Sequence, residues 1–470
     1  MLFNSLQFAV FFVVVVSLYF ALPHRFRWIM LLAASYYFYM CWKVEYVLLI
    51  LFSTLVDYTV ARMMSRVPDR RGRRKYLAFS LVCNLGILFF YKYFNFLSRS
   101  VNEALQAWNI LYDAPLFQVM LPVGISFYTF QTLSYSIDVY RGRIPAERHL
   151  GIYALYVSFW PQLVAGPIER THHLLPQFRE RYPFDYARVT DGLRLMLWGL
   201  FKKVAIADHV AVYVNQVYNH VGDYRGIPLL AATFLFAIQI YCDFSGYTDV
   251  ARGSALFLGL RLPENFIRPY KATSPAAFWR RWHMTLSSWL RDYVYFPLGG
   301  SKVGPLRTYW NLWLTLFLIG IWHGAGWTYV VYGTIHGLAM VLHRYFYKRS
   351  GRTKDTVDAR WLMLLKIFGT FHFVVLTRIL FRADSFASAG DVTSQLLKGT
   401  TSLAQISWGL WLVLGVSYLI HWLPQGWVTG AKGIFMRLPA PAQGLVVAGV
   451  AAVLVKMAAT QVVPYIYFQF

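Results

Sequence analysis

The chain has 470 residues, of which 57% are hydrophobic, 19% aromatic and 14% charged, and it carries a net charge of +24. A composition this apolar, with many runs of bilayer length, excludes a soluble protein, and long unbroken apolar segments exclude a β-barrel, whose strands alternate apolar and polar residues. The positive residues gather in short loops between apolar runs, which reads as cytoplasmic loops beside anionic lipid and gives no reason to expect a nucleic-acid partner.

The expected fold is an all-α polytopic membrane protein with about 11–13 transmembrane or re-entrant helices. Leu6 to Leu22 has no basic region before it and is followed by further spans, so it reads as a retained first helix. Trp28 to Trp42, Tyr46 to Ala61 and Tyr76 to Phe96 follow as the next three spans. Between the third and fourth lie Arg62, Arg66, Arg70, Arg71, Arg73, Arg74 and Lys75, opposed only by Asp69. That excess places the loop in the cytoplasm and, counting back across three helices, the N-terminus outside. Further spans are expected near Leu121 to Val139, Ile152 to Ala165, Leu193 to Val214, Leu229 to Tyr241, Tyr309 to Trp322, Trp327 to Phe346, Trp361 to Leu380, Trp408 to Trp422 and Gly444 to Ala459. Several are short or interrupted by Gly and Pro, a pattern tolerated only where backbone is buried in protein or lines a cavity. Residues 1–470 read as a single membrane domain without repeats. Cys41, Cys83 and Cys242 each sit in an apolar run and read as buried, inert thiols.

Chemistry is expected between Tyr241 and His323, where titratable residues interrupt the apolar sequence. Each such group at bilayer depth costs at least about 2.5–3.5 kcal/mol, so a dense set implies an interior site. In YCDFSGYTDVARG, Asp243 and Asp249 with Arg252 form either a buried ion-pair network or the polar wall of a tunnel. On a helical wheel over Phe278 to Tyr293, Phe278, Trp279, Trp282, Leu286, Trp289, Leu290 and Tyr293 share an apolar stripe. His283 lies at its edge and Arg280 and Arg281 lie off it. The pattern fits an interfacial amphipathic helix with snorkelling arginines, or a histidine facing a cavity while arginines meet an anionic ligand. The apolar run Tyr309 to Ile321 is followed by Trp322, His323, Gly324, Ala325 and Gly326, so a helix is expected to break beside His323. His336 reads as a helix-packing residue. No P-loop, dinucleotide fingerprint or nucleophile elbow is present, and the histidines lack HExxH-type spacing, so no metal site is expected.

Six segments in order, LPVGISFYTFQTLSYSIDVYRG, FWPQLVAGPIER, DFSGYTDVARG, LPENFIRPY, FWRRWHMTLSSWLRDYVYFPLGG and WHG, resemble the membrane-bound O-acyltransferase family, in its bacterial branch that serves alginate and teichoic acid. The likeness covers the chain from about Leu121 to His336, with a motif-bearing core at about 121–346. It implies a ring of helices around a central funnel, with His323 in the family's catalytic histidine position and His283 in that of a second functional histidine. It further implies a cytoplasmic thioester donor, acetyl-CoA or another acyl thioester. The acceptor hydroxyl approaches from the opposite face and belongs to an exported polysaccharide or to a periplasmic or extracellular acyltransferase of serine-esterase type. The location implied is the bacterial inner membrane, beside polysaccharide synthesis and export machinery. Thioester chemistry needs a base for the hydroxyl proton and donors for the tetrahedral oxyanion. His323 suits the first role, and His283 is assigned to orienting the acceptor or donating to the oxyanion. Arg268, Lys271, Arg280 and Arg281 are candidate contacts for donor phosphates. Two other readings remain open: a transporter or flippase for a lipid-linked sugar or acyl lipid, and transfer of an acyl chain to a lipid or protein.

Overall fold

The computed structural model describes residues 1–110, 112–351, 358–400, 402–458 and 464–466, and no strand occurs among them. The first helices are α1 (Leu6–Ala21), α2 (His24–Met40), α3 (Val47–Met64), α4 (Arg70–Leu88), α5 (Phe94–Ala107), α6 (Ile125–Tyr140), α7 (Leu150–Ser158) and the single turn α8 (Thr171–Leu174). Then come α9 (Tyr186–Leu200), α10 (Asp208–Asn219), α11 (Ile227–Phe257), α12 (Pro275–Trp279), α13 (Met284–Leu290), α14 (Pro305–His323) and α15 (Trp327–Arg349). The last are α16 (Arg360–Arg382), α17 (Phe386–Leu397), α18 (Trp408–Trp422), α19 (Gln425–Arg437) and α20 (Ala440–Met457). Among the described residues, five helical segments are long and apolar enough to cross a membrane: Val44–Met64, Arg70–Ala107, Ile227–Phe257, Arg360–Arg382 and Ala440–Met457. Leu6–Ala21 and Trp408–Trp422 are apolar but shorter. The remaining expected spans are either broken into short helices or diluted by polar residues, which is why fewer segments meet the length criterion than the apolar runs suggest.

The chain divides into two compact units, Met1–Met196 with Val250–Pro263, and Leu197–Asp249 with Glu264–Phe470. In the first unit, Trp160 is fully buried against Phe3, Phe8, Phe11, Phe12 and Phe38. Asp57 of α3 is buried and accepts hydrogen bonds from Ser80 and Asn84 of α4 and from Ser136 of α6. An intramembrane carboxylate is tolerable here because its lone pairs are occupied. The arginine-rich loop ends in a cap: the Asp69 carboxylate accepts the Gly72 N–H at 2.8 Å and starts α4.

In the second unit, α14 and α15 form a hairpin through Gly324, Ala325 and Gly326. Their approach depends on absent side chains: a Cβ at Gly320 would lie 2.4 Å from the Tyr329 carbonyl oxygen and 2.6 Å from Gly333 Cα. A π-helical segment, Phe201–Ala207, carries two buried lysines. Lys202 Nζ lies 2.6 Å from Asp249 and 2.9 Å from Ser245 Oγ, and Lys203 Nζ lies 2.6 Å from Asp243 and 2.8 Å from Asp208. The sequence groups these aspartates with Arg252 as a buried ion-pair network or a tunnel wall; Lys202 and Lys203 are cations on them that the sequence pattern does not announce. The Ile466 N–H also donates to Asp243 at 2.7 Å, and Lys203 stacks on Tyr465 at 4.4 Å, so the segment Pro464–Ile466 is held by the same charges.

Candidate active site

His323 and His283 both lie in the second unit. The helix carrying His323 extends from Pro305, and its last residue is His323. At 1.5 Å per residue its 19 residues span about 28 Å, more than the apolar run alone implies. The apolar run starts at Tyr309, later than the helix begins; Thr308 before that point and Asn311 just inside it are polar residues of its first turns. Both are buried: Thr308 Oγ1 donates to the Gly304 carbonyl, and Asn311 Nδ2 donates to the Leu298 and Gly300 carbonyls. The break at His323 occurs as expected, and Gly324 leaves the helix with extended backbone, packed against the Tyr329 ring.

The segment around His283 differs from the single helix its periodicity suggests. Ser274 caps α12 by accepting the Ala277 N–H, with Pro275 at the first helical position. The helix ends at Trp279, and the chain turns and restarts at Met284. His283 sits between the two helices in the left-handed region, at φ 44°. A non-glycine residue there costs roughly 1–3 kcal/mol and persists only where its surroundings fix it. Asn265 fixes it. The Asn265 carbonyl accepts the Met284 N–H at 3.0 Å, its Oδ1 accepts the Thr285 N–H at 3.2 Å and the Thr285 hydroxyl at 2.9 Å, and Ile267 N–H donates to the Arg281 carbonyl at 2.9 Å. The apolar stripe is real but faces protein: Phe278, Trp279, Trp282, Leu286, Trp289 and Leu290 are all buried, so this is not a helix lying at a lipid interface.

The same asparagine settles the tautomer of His283. Oδ1 accepts from a backbone N–H, so it is an oxygen, and Nδ1 of His283 at 3.2 Å must donate to it. Nε2 then carries the lone pair. Burial pushes the imidazole well below its ordinary range, to about 3, so it is neutral at physiological pH. His283 packs edge-on against Phe244 of α11 at 4.8 Å and Trp322 of α14 at 5.5 Å, and Trp322 in turn contacts His323 at 5.1 Å. The two histidines thus share one tryptophan. His323 is buried and completes its shell with Phe381 of α16 at 5.1 Å and Tyr332 of α15 at 6.5 Å. His336 behaves as the helix-packing residue expected of it, with Nε2 3.0 Å from the Thr377 hydroxyl.

The four basic candidates separate. Arg268, itself at φ 43°, donates through Nη1 to the Leu423 carbonyl, and Lys271 lies over the Trp422 ring at 4.9 Å. Burial pushes the Lys271 ammonium down, and repulsion from Arg268 and Arg281 adds to it, so these three form one positive group. Arg280 is exposed and lies near His343. Sequence reasoning missed Asn265, Lys202, Lys203 and Arg378. The first three acquire meaning only through partners distant in sequence, whereas Arg378, a cation inside the apolar run Trp361 to Leu380, carried its own signal. A cleft of about 490 Å³ lined by Tyr218, His220, Asp391 and Lys398 includes neither His283 nor His323.

A model of the membrane-bound O-acyltransferase family matches residues 148–382, a range that contains both histidines and all four basic candidates. A probable alginate O-acetylase, AlgI, of Pseudomonas aeruginosa is 37% identical over 410 residues, covering 87% of this chain and 77% of its own. A peptidoglycan O-acetyltransferase of Helicobacter pylori is 35% identical over 405 residues, covering 80% of this chain and 74% of its own. A teichoic acid D-alanyltransferase of Bacillus subtilis is 27% identical over 273 residues, covering 56% and 69%.

Proposed function

This multi-pass membrane protein belongs to the membrane-bound O-acyltransferase family and is an O-acyltransferase; from that premise we propose that it moves acetyl groups from a cytoplasmic thioester across a bacterial inner membrane, for O-acetylation of an exported polysaccharide. The observation that carries the reading is the buried pair, His323 at the end of α14 and His283 on the same tryptophan, in a chain whose relatives of 35–37% identity are named for O-acetylation. The substrate class follows from two relatives that act on different glycans, alginate and peptidoglycan, which favours an exported polymer over a lipid or protein acceptor.

In this mechanism the acceptor hydroxyl adds to the carbonyl carbon of the thioester. His323 takes the hydroxyl proton as the new C–O bond forms and the carbonyl π electrons move to oxygen. The tetrahedral intermediate then collapses, the C–S bond breaks, and the departing thiolate takes the proton back from His323. His283, neutral and with a lone pair on Nε2, suits the orientation of a hydroxyl by accepting its hydrogen bond. That tautomer does not suit donation to the oxyanion, the other role assigned to it from sequence. Arg268, Lys271 and Arg281 form a positive group fit for donor phosphates, on coenzyme A or on a phosphopantetheine carrier. The positive charge from Arg62 to Lys75 supports a cytoplasmic position for that loop, the side from which the donor is proposed to approach. The product leaves on the opposite face, to the glycan directly or through a secreted acyltransferase of serine-esterase type working with the polysaccharide export machinery.

The test is vectorial transfer by the purified protein in vesicles sorted for a single orientation. Labelled acetyl-CoA is supplied on the side of the Arg62–Lys75 loop, and alginate or peptidoglycan fragments on the other. Label esterified to the fragments, with free coenzyme A left on the donor side, is the expected result. Movement of an intact lipid-linked sugar without acyl transfer would replace this reading with a flippase.

A further inference from the structure

The two histidines leave one requirement of the chemistry unfilled. His323, once protonated, has that N–H committed to the departing sulfur, and His283 presents a lone pair, so neither histidine is assigned to the negative oxygen of the tetrahedral intermediate. Arg378 of α16 has the properties that this role needs. It is only 1% exposed, and its Nε and Nη2 have no hydrogen-bond or ion-pair partner among the described residues. The buried aspartates of this unit do not serve it: Asp243 is taken by Lys203 and Asp249 by Lys202. A buried, hydrogen-bond-deficient guanidinium is costly unless something compensates it. Part of the compensation is aromatic, because its Cζ lies 4.3 Å over the Trp282 ring and 5.4 Å over Phe381. A π face satisfies charge but fills no N–H. Those donors are left for a group that is not always present.

Position ties Arg378 to the reacting centre. Phe381, one helical turn further along α16, lies against both Arg378 and the His323 ring. Trp282, the other ring beneath the guanidinium, immediately precedes His283. Tyr270, Tyr332 and His336 are the titratable neighbours around the guanidinium; none is an anion at neutral pH, and Tyr332 also contacts His323.

We propose that Arg378 stabilises the oxyanion of acyl transfer, donating through its guanidinium N–H groups to the acyl carbonyl oxygen as that oxygen becomes negative. This rests on the acyl-transfer reading above. The acceptor oxygen bonds to the carbonyl carbon, its proton passes to His323, and the electron pair displaced onto the carbonyl oxygen faces Arg378 until the C–S bond breaks. An interaction present mainly in the transition state raises kcat and leaves KM nearly unchanged.

The experiment compares native protein, Arg378→Met and Arg378→Lys for kcat, KM and thermal stability, with labelled acetyl-CoA as donor. Methionine removes the charge and keeps much of the volume, so Arg378→Met is expected to lower kcat by about 10²–10³-fold, to shift KM by less than about threefold, and to melt at or above the native temperature, as replacement of an uncompensated buried charge allows. Arg378→Lys keeps the charge but loses the planar fork, and is expected to fold and to lose at least about tenfold in kcat. Should Arg378→Met fail to fold, the lysine variant decides. Native kcat in either variant overturns the proposal, as does a loss of kcat matched in both by a fall in melting temperature, which marks a structural role. If native protein transfers no acetyl group from acetyl-CoA, the acyl-transfer reading fails first and this inference with it.

Discussion

At the scale of single residues, His283 is where local sequence and structure diverge most. Its position on an apolar periodic segment is legible, and so is the burial of the tryptophans beside it. The break at His283 is not, because its cause is Asn265, eighteen residues earlier, whose backbone and side chain hold Met284, Thr285 and the imidazole together. This geometry has a consequence in pH. Burial lowers the folded-state value of His283 to about 3, whereas the unfolded chain titrates near about 6.5. The unfolded state therefore binds more protons between these values, so the contribution is complete above about pH 6.5 and declines as pH falls towards 3. Melting temperatures of detergent-solubilised native protein and His283→Gln, measured from pH 7 to pH 4, should show the native falling more steeply. Parallel curves would mean that His283 is not buried neutral in the folded protein.

At the scale of elements, the hairpin of α14 and α15 presents His323, and its contact rests on Gly320 facing Gly333. The run of apolar residues made α14 legible as a helix, and the Gly324–Gly326 stretch marked its end. Its start lies before that run, among the polar residues Arg307 and Thr308, and Thr308 can be buried there because its hydroxyl donates to the Gly304 carbonyl. Close approach through glycine was not legible, since nothing local distinguishes Gly320 from a glycine facing lipid. Gly320→Val should destabilise by about 1–3 kcal/mol, the usual range for overpacking, because its Cβ would sit 2.4 Å from the Tyr329 carbonyl oxygen. It should also impair transfer, since His323 lies three residues further along the same helix. Gly369, with open space where a Cβ would be, is the control: Gly369→Ala should leave both melting temperature and turnover near native. Equal effects at the two positions would contradict the tight hairpin.

At the scale of the whole molecule, class and family were the most legible features, because composition sums over the chain and six ordered segments each add independent information. The charged interior was half legible. Asp243 and Asp249 stand out in an apolar run, but their partners Lys202 and Lys203 lie about forty residues away on a π-helical segment that no periodicity signals. Arg378 is visible in the sequence as an intramembrane cation, but it lies in none of the six ordered segments, so nothing local assigns it a role. The measurement that bears most directly on the central claim is single-turnover acetyl transfer by purified His323→Ala beside native protein and His336→Ala. His323→Ala should fold normally and transfer about 10²–10⁴-fold more slowly, the usual worth of a positioned base. His336→Ala should lower the melting temperature by removing its contact with Thr377 while leaving the folded fraction active. Near-native transfer by folded His323→Ala would contradict the assignment of this histidine as the base, and with it the mechanism built around it.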